Sequence, residues 1–120
     1  MSKLTDLFEI LKELNVLESL IKAQKGTIEF VNNRLKNMTA FDDEERLKVM
    51  GEASVHDLEI LEPHYAKQKE KFEVLLESAK TDSKVLSELE TMKVSEEYKQ
   101  LFEGLKQELL SQKGYEKPEE

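Results

Sequence analysis

The feature that most constrains this chain is a pair of heptad repeats separated by only four residues. With Leu7 at position a, the a positions are Leu7, Leu14, Ile21, Ile28 and Leu35, and the d positions are Ile10, Leu17, Gln24, Val31 and Met38. Nine of these ten are apolar. Such a seam commits a segment to a helix that must bury one side against another helix. The first helix is predicted from about Lys3 to Met38, roughly 54 Å at ~1.5 Å per residue. The second is predicted from about Asp43 to Lys80. Its d positions are Leu47, Ser54, Leu61, Gln68 and Leu75, and its a positions are Gly51, Leu58, Tyr65, Phe72 and Ala79, seven of the ten apolar. Helices of this length joined by residues 39–42 must fold back antiparallel. Residues whose numbers sum to about 81 then face one another, so Gln24 falls near Ser54–Leu58 and Gln68 near Leu14. These polar seam positions are expected to set the register.

Local signals refine the outline. Asp42 is the expected N-cap of the second helix, with Glu45 three residues on and Asp43 and Glu44 in the positive first turn. Pro63 lies inside the second repeat, which keeps its phase across it, so one kinked helix is predicted, not two. Pro63 occupies an outward f position, where water can reach the freed Glu59 carbonyl.

A third segment follows Thr81-Asp82-Ser83, a run of good N-cap residues. Val85, Leu86, Leu89 and Met92 form one apolar stripe. Tyr98, Leu101, Phe102, Leu105 and Leu109 form another, out of phase with the first. A short helix, a hinge near Lys93–Ser95 and a last helix to about Lys113 are expected, with Ser95 as its N-cap and Gly114 as its C′ residue. The fold class is therefore all-α: a long antiparallel helical hairpin with a third helical segment packed on it, a three-helix, coiled-coil-like bundle. The second stripe should lie near the broad apolar end of the first helix at Leu4, Phe8 and Leu11. Its hinge and short length make the last helix the least anchored element. Tyr98, Leu101, Phe102, Leu105 and Leu109 are accordingly the candidate partner-binding residues.

Composition supports this outline. Of 120 residues, 37% are charged and 38% apolar, with four Gly and two Pro, a balance suited to solvated helices and not to turn-rich β folds. The length fits one domain, taken as 1–114, with 115–120 a disordered acidic tail. There is no cysteine, which excludes disulfides and thiolate metal sites. The opening Met1–Asp6 is polar and the longest apolar run is three residues, as in Val74-Leu75-Leu76. No secretory core or membrane span is expected, and a cytoplasmic location is. The net charge of −8 contains no strong cationic patch, so nucleic-acid binding is not expected. Lys67, Lys69 and Lys71 are interrupted by Glu70 and Glu73 and read as a solvated face.

No catalytic constellation is visible. The four glycines, at 26, 51, 104 and 114, are too far apart for a phosphate loop. The one metal-like group is Glu52, His56, Glu59 and His64. A ferritin-like site needs Glu-x-x-His, and Ala53 and Leu61 stand where its carboxylates would be, so neither a metal nor another cofactor is expected.

The layout nevertheless resembles a known family. A small acidic three-helix bundle, with Leu61-Glu62-Pro63 inside its second helix and Glu96-Glu97-Tyr98-Lys99 opening its last, is similar to tubulin-binding cofactor A. The first helix departs from the family's basic-then-tyrosine pattern, with Gly26-Thr27 in that region, and Ser83–Met92 reads as an insertion. The resemblance implies a chaperone that captures β-tubulin on a helical face without catalysis. From the residues alone the expectation is a non-enzymatic helical interaction module, an adaptor, assembly factor or inhibitor with a protein partner. An acidic nucleic-acid mimic is the remaining alternative. Homo-oligomerisation is compatible with the pattern.

Overall fold

The apolar periodicity described above is realised as helix almost throughout a computed structural model, which describes residues 2–110. The elements are α1 (Lys3–Lys36), α2 (Glu44–Lys80), α3 (Ser83–Thr91), a 3-10 turn (Glu96–Tyr98) and α4 (Lys99–Leu110). No strand occurs among the described residues. The fold is an all-α helical hairpin bundle.

Each helix start has an identifiable cause. Ser2 caps α1, its hydroxyl accepting from the Thr5 amide at 3.1 Å. Asp43, not Asp42, caps α2: its carboxylate accepts from the Arg46 amide at 3.2 Å. Asp42 instead clasps the turn, accepting from the Thr39 amide at 2.8 Å and pairing with Arg34 at 3.1 Å. The expected cap is thus displaced by one residue, because the Thr39 amide and Arg34 engage the earlier carboxylate. Asp82 caps α3, accepting from the Lys84 amide at 3.0 Å. Ser95 holds the extended backbone of a cap, but its hydroxyl makes no capping bond. The chain does break between α3 and the 3-10 turn, as the change of phase requires.

Pro63 lies within an unbroken α2. It is exposed, so the carbonyl it leaves unpaired can be met by water. The last helix beyond Leu110, the Gly114 cap and the tail fall outside the described residues.

The chain divides into two compact units, Met1–Glu13 with Gln68–Glu120, and Leu14–Lys67. In the first, the terminal unit, ten buried residues form one core: Leu4, Leu7 and Phe8 of α1, Leu76 and Ala79 of α2, Val85 and Leu89 of α3, and Phe102, Leu105 and Leu109 of α4. The Phe8 ring meets Phe102 edge-on at 5.3 Å and Tyr98 at 6.2 Å, and the Lys12 ammonium sits 4.9 Å from the Tyr98 ring centre. Such aromatic pairs add about 0.5–1.5 kcal/mol each beyond their burial. Gln68, a buried seam residue, donates to Glu13 at 2.8 Å, one residue from the Leu14 partner expected for it.

The second unit, the turn unit, is α1 and α2 alone with their connection. Leu14, Leu17, Val31, Leu47 and Ser54 are buried along its seam. Pairing follows the antiparallel register: Tyr65 donates to Glu18 at 2.7 Å, and Lys25 pairs with Glu62 at 3.5 Å. At Gly51 an added Cβ would lie 3.2 Å from Val31 Cγ1. The glycine is where the two helices come close.

Candidate functional site

The sequence singled out the α4 stripe for docking, and the structure turns that stripe inward. Phe102, Leu105 and Leu109 are buried in the terminal core, and Tyr98 and Leu101 pack half-buried against it. They meet Phe8 and its neighbours, the location expected for them. There Phe102, Leu105 and Leu109 are buried, while Tyr98 and Leu101 keep part of their surface. Three of the ten core residues lie on α4. The sequence places the stripe beside Leu4, Phe8 and Leu11, and the hinge before it is the reason to offer it for docking as well.

The charged clusters are ordinary helix surface. His56 and Glu59 lie 4.0 Å apart on an open face, and among the described residues no three His, Asp or Glu groups are placed to hold a metal ion. Lys67, Lys69 and Lys71 are exposed. Two carboxyls are held below the usual carboxylate range. Asp42 is lowered by the Thr39 amide and then by the Arg34 charge. Asp82 is lowered by the Lys3 ammonium and then by the Lys84 amide. Asp82 caps α3, and Asp42 clasps the turn before α2.

What stands out is the turn unit's outer surface. Val16, Leu20, Phe30, Met38, Phe41, Val49, Met50, Val55 and Ile60 are all exposed there, Ile60 at 60% and Phe41 at 97%. Apolar side chains scattered singly need no explanation, but these are arranged. On the flank made by heptad positions e and b, a groove of about 390 Å³ runs along the seam. Its floor is Ile28, Val31, Leu35 and Gly51, its wall Val55, and its rim Lys48, Glu52 and Glu59. A second groove of about 510 Å³ lies between Ile21 and Tyr65 under Lys22, Lys25 and Glu62. The opposite flank, positions c and g of α1, carries Val16, Leu20, Ala23, Thr27 and Phe30 at spacings of four, three, four and three residues. That second stripe is a helical signal in its own right. It was hidden by the stronger seam beside it.

Comparison with known proteins finds no matching family model, no similar curated protein and no similar solved structure. No described helix is long and apolar enough to cross a membrane.

Proposed function

We propose that this chain is a non-enzymatic helical protein-interaction module, an adaptor, assembly factor or inhibitor. Its partner lays an amphipathic helix into the e/b groove of the turn unit. The observation that carries this reading is the groove's floor. Ile28 and Leu35 are seam residues, yet they are only half-buried and line an open groove beside the buried Val31. An unfinished core of this kind gains from a third apolar surface. In the terminal unit α3 and α4 supply that third surface over Leu4, Phe8 and Leu76, which hold e and b positions. In the turn unit the e/b groove is lined by α1 and α2 alone. The Lys48, Glu52 and Glu59 rim would orient a partner of mixed charge.

A photo-cross-linking residue placed at Val55 should capture one partner protein from the native cell extract. The same residue placed at Val74 should not, and Val55→Glu should abolish capture from a cross-linking residue placed instead at Glu59 on the groove rim, with helix content unchanged. Equal capture from Val55 and Val74 would remove the groove from consideration.

A second reading, a tubulin-folding chaperone resembling cofactor A, draws support from Pro63 inside a continuous α2 and from Glu96–Lys99 leading into α4. Adding β-tubulin should then slow amide exchange on a helical face, and exchange unchanged in every segment excludes it. The nucleic-acid mimic is the weaker reading, because 18 basic residues are intermixed with the acidic ones and several pair with them, as in Lys25–Glu62 and Lys48–Glu44.

A further inference from the structure

The c/g stripe of α1 is as regular as a core seam, yet Val16, Leu20 and Phe30 are about half exposed. Its one polar member is neutralised: Thr27 returns its hydroxyl to the Ala23 carbonyl at 3.1 Å. Lys25 and Glu62, both at e positions, pair on the groove side, so the c/g positions of both helices share the other side. There α2 adds Met50 and Ile60, also exposed.

Three properties select the occupant. First, the stripe is nearly symmetric about its middle. Bulky Val16 and Leu20 precede small Ala23, Gly26 and Thr27, and bulky Phe30 follows. Second, Gly26 has no described atom within 4 Å of an added Cβ, so no described neighbour in its own chain explains a helix-weakening residue there. A second helix approaching closely would. Third, the flank is acidic before the stripe, at Glu9 and Glu13, and basic after it, at Arg34. An identical helix laid antiparallel brings Glu13 of one copy near Arg34 of the other, each keeping the partner it has in its own chain, Gln68 and Asp42, whereas a parallel one brings like near like.

We propose that this face is a two-fold homodimer interface in which α1 packs antiparallel on α1 of a second copy about Ala23. Small residues then meet at the axis and Val16 meets Phe30 of the other copy, the reciprocal pairing that a closed two-fold contact requires. Two helices ~10 Å apart, in contact over about 30 Å, cover roughly 600 Å² per copy. The total of roughly 1,200 Å² lies at the lower edge of stable interfaces. The dimer should therefore be weak and dissociate on dilution. It uses the flank away from the groove, so it stands or falls separately from the proposed function.

The test is sedimentation of the full chain over a range of concentrations, with mass expected to rise towards twice that of the monomer. Ala23→Glu puts like charges on the axis and should hold the chain monomeric, with its melting temperature unchanged at concentrations too low for the wild type to dimerise. The chain has no cysteine, so engineered pairs report orientation. Val16→Cys mixed with Phe30→Cys should give the mixed disulfide, and Val16→Cys alone should give little. A monomer at every concentration, a dimer indifferent to Ala23→Glu, or efficient Val16→Cys self-linkage would each overturn the proposal.

Discussion

The terminal unit and the turn unit are built from the same two helices and reach different degrees of completion. In the terminal unit four elements enclose ten apolar residues. In the turn unit two helices bury a single seam, and among the described residues nine of the ten large apolar side chains that are exposed belong to it. Val74 is the exception. Average hydrophobicity does not explain this, since both units carry heptads of similar quality. A helix pair can bury only the stripe between its members. Apolar residues on the flanks stay in water until a third layer arrives. The terminal unit has that layer in α3 and α4, and the turn unit offers places for one.

The difference is measurable. Phe102→Ala should cost about 3–5 kcal/mol, because the ring is buried against Phe8. That is a large share of the ~5–15 kcal/mol that holds a small domain. Ile60→Ala, on the exposed flank of the turn unit, should change stability by no more than about 0.5 kcal/mol. Denaturant unfolding compares them directly, and equal losses would dissolve the distinction between the two units.

The two glycines of the turn unit sharpen the point at smaller scale. Gly51→Ala gains helix propensity of about 1 kcal/mol but drives a methyl to 3.2 Å from Val31, which is only 2% exposed and cannot retreat far. Overpacking of this sort costs about 1–3 kcal/mol, so a net loss is expected. Gly26→Ala meets nothing and should stabilise the monomer by about 0.5–1 kcal/mol. Melting curves at low protein concentration should show the opposite signs. A gain at both positions would mean that the helices are not in close contact at Gly51.

Much of this was legible in the heptads. All ten seam positions of α2, from Leu47 to Ala79, are buried or half-buried. The antiparallel register placed Gln68 beside Glu13, one residue from its expected neighbour. What was not legible concerns layers and competition. Leu105 and Val55 are both apolar residues on amphipathic helices, and only the packing of α3 and α4 makes one core and leaves the other in water. The cap of α2 moved from Asp42 to Asp43 because both carboxylates can cap. The choice between them rests on Arg34 and the Thr39 amide, which the fold brings to Asp42. The second α1 stripe could have been read from its spacing, and the seam beside it drew the reading away.

The smallest effect separates the units by acid. Asp82 in the terminal unit and Asp42 in the turn unit both titrate below the ordinary value of 3.8. A carboxyl lowered in the folded state contributes stability above its unfolded value, and that contribution is lost as pH falls through the folded one. Both contributions should therefore be complete at neutral pH and fade below 3.8. The causes differ, however. The first for Asp82 is the Lys3 ammonium, at 3.1 Å, which ties the first residue of α1 to the cap of α3. The first for Asp42 is the Thr39 amide, a bond within the turn itself. An asparagine keeps an oxygen for an amide donor but has no charge to hold an ammonium. Asp82→Asn should therefore lower the melting temperature at neutral pH more than Asp42→Asn. Both differences from wild type should vanish once the medium is acidic enough to protonate the native carboxyls. Amide exchange should place the first loss in Val85–Leu89 and the second in the 39–47 turn. A larger effect for Asp42→Asn would show that Arg34, not the turn's own backbone, holds the clasp.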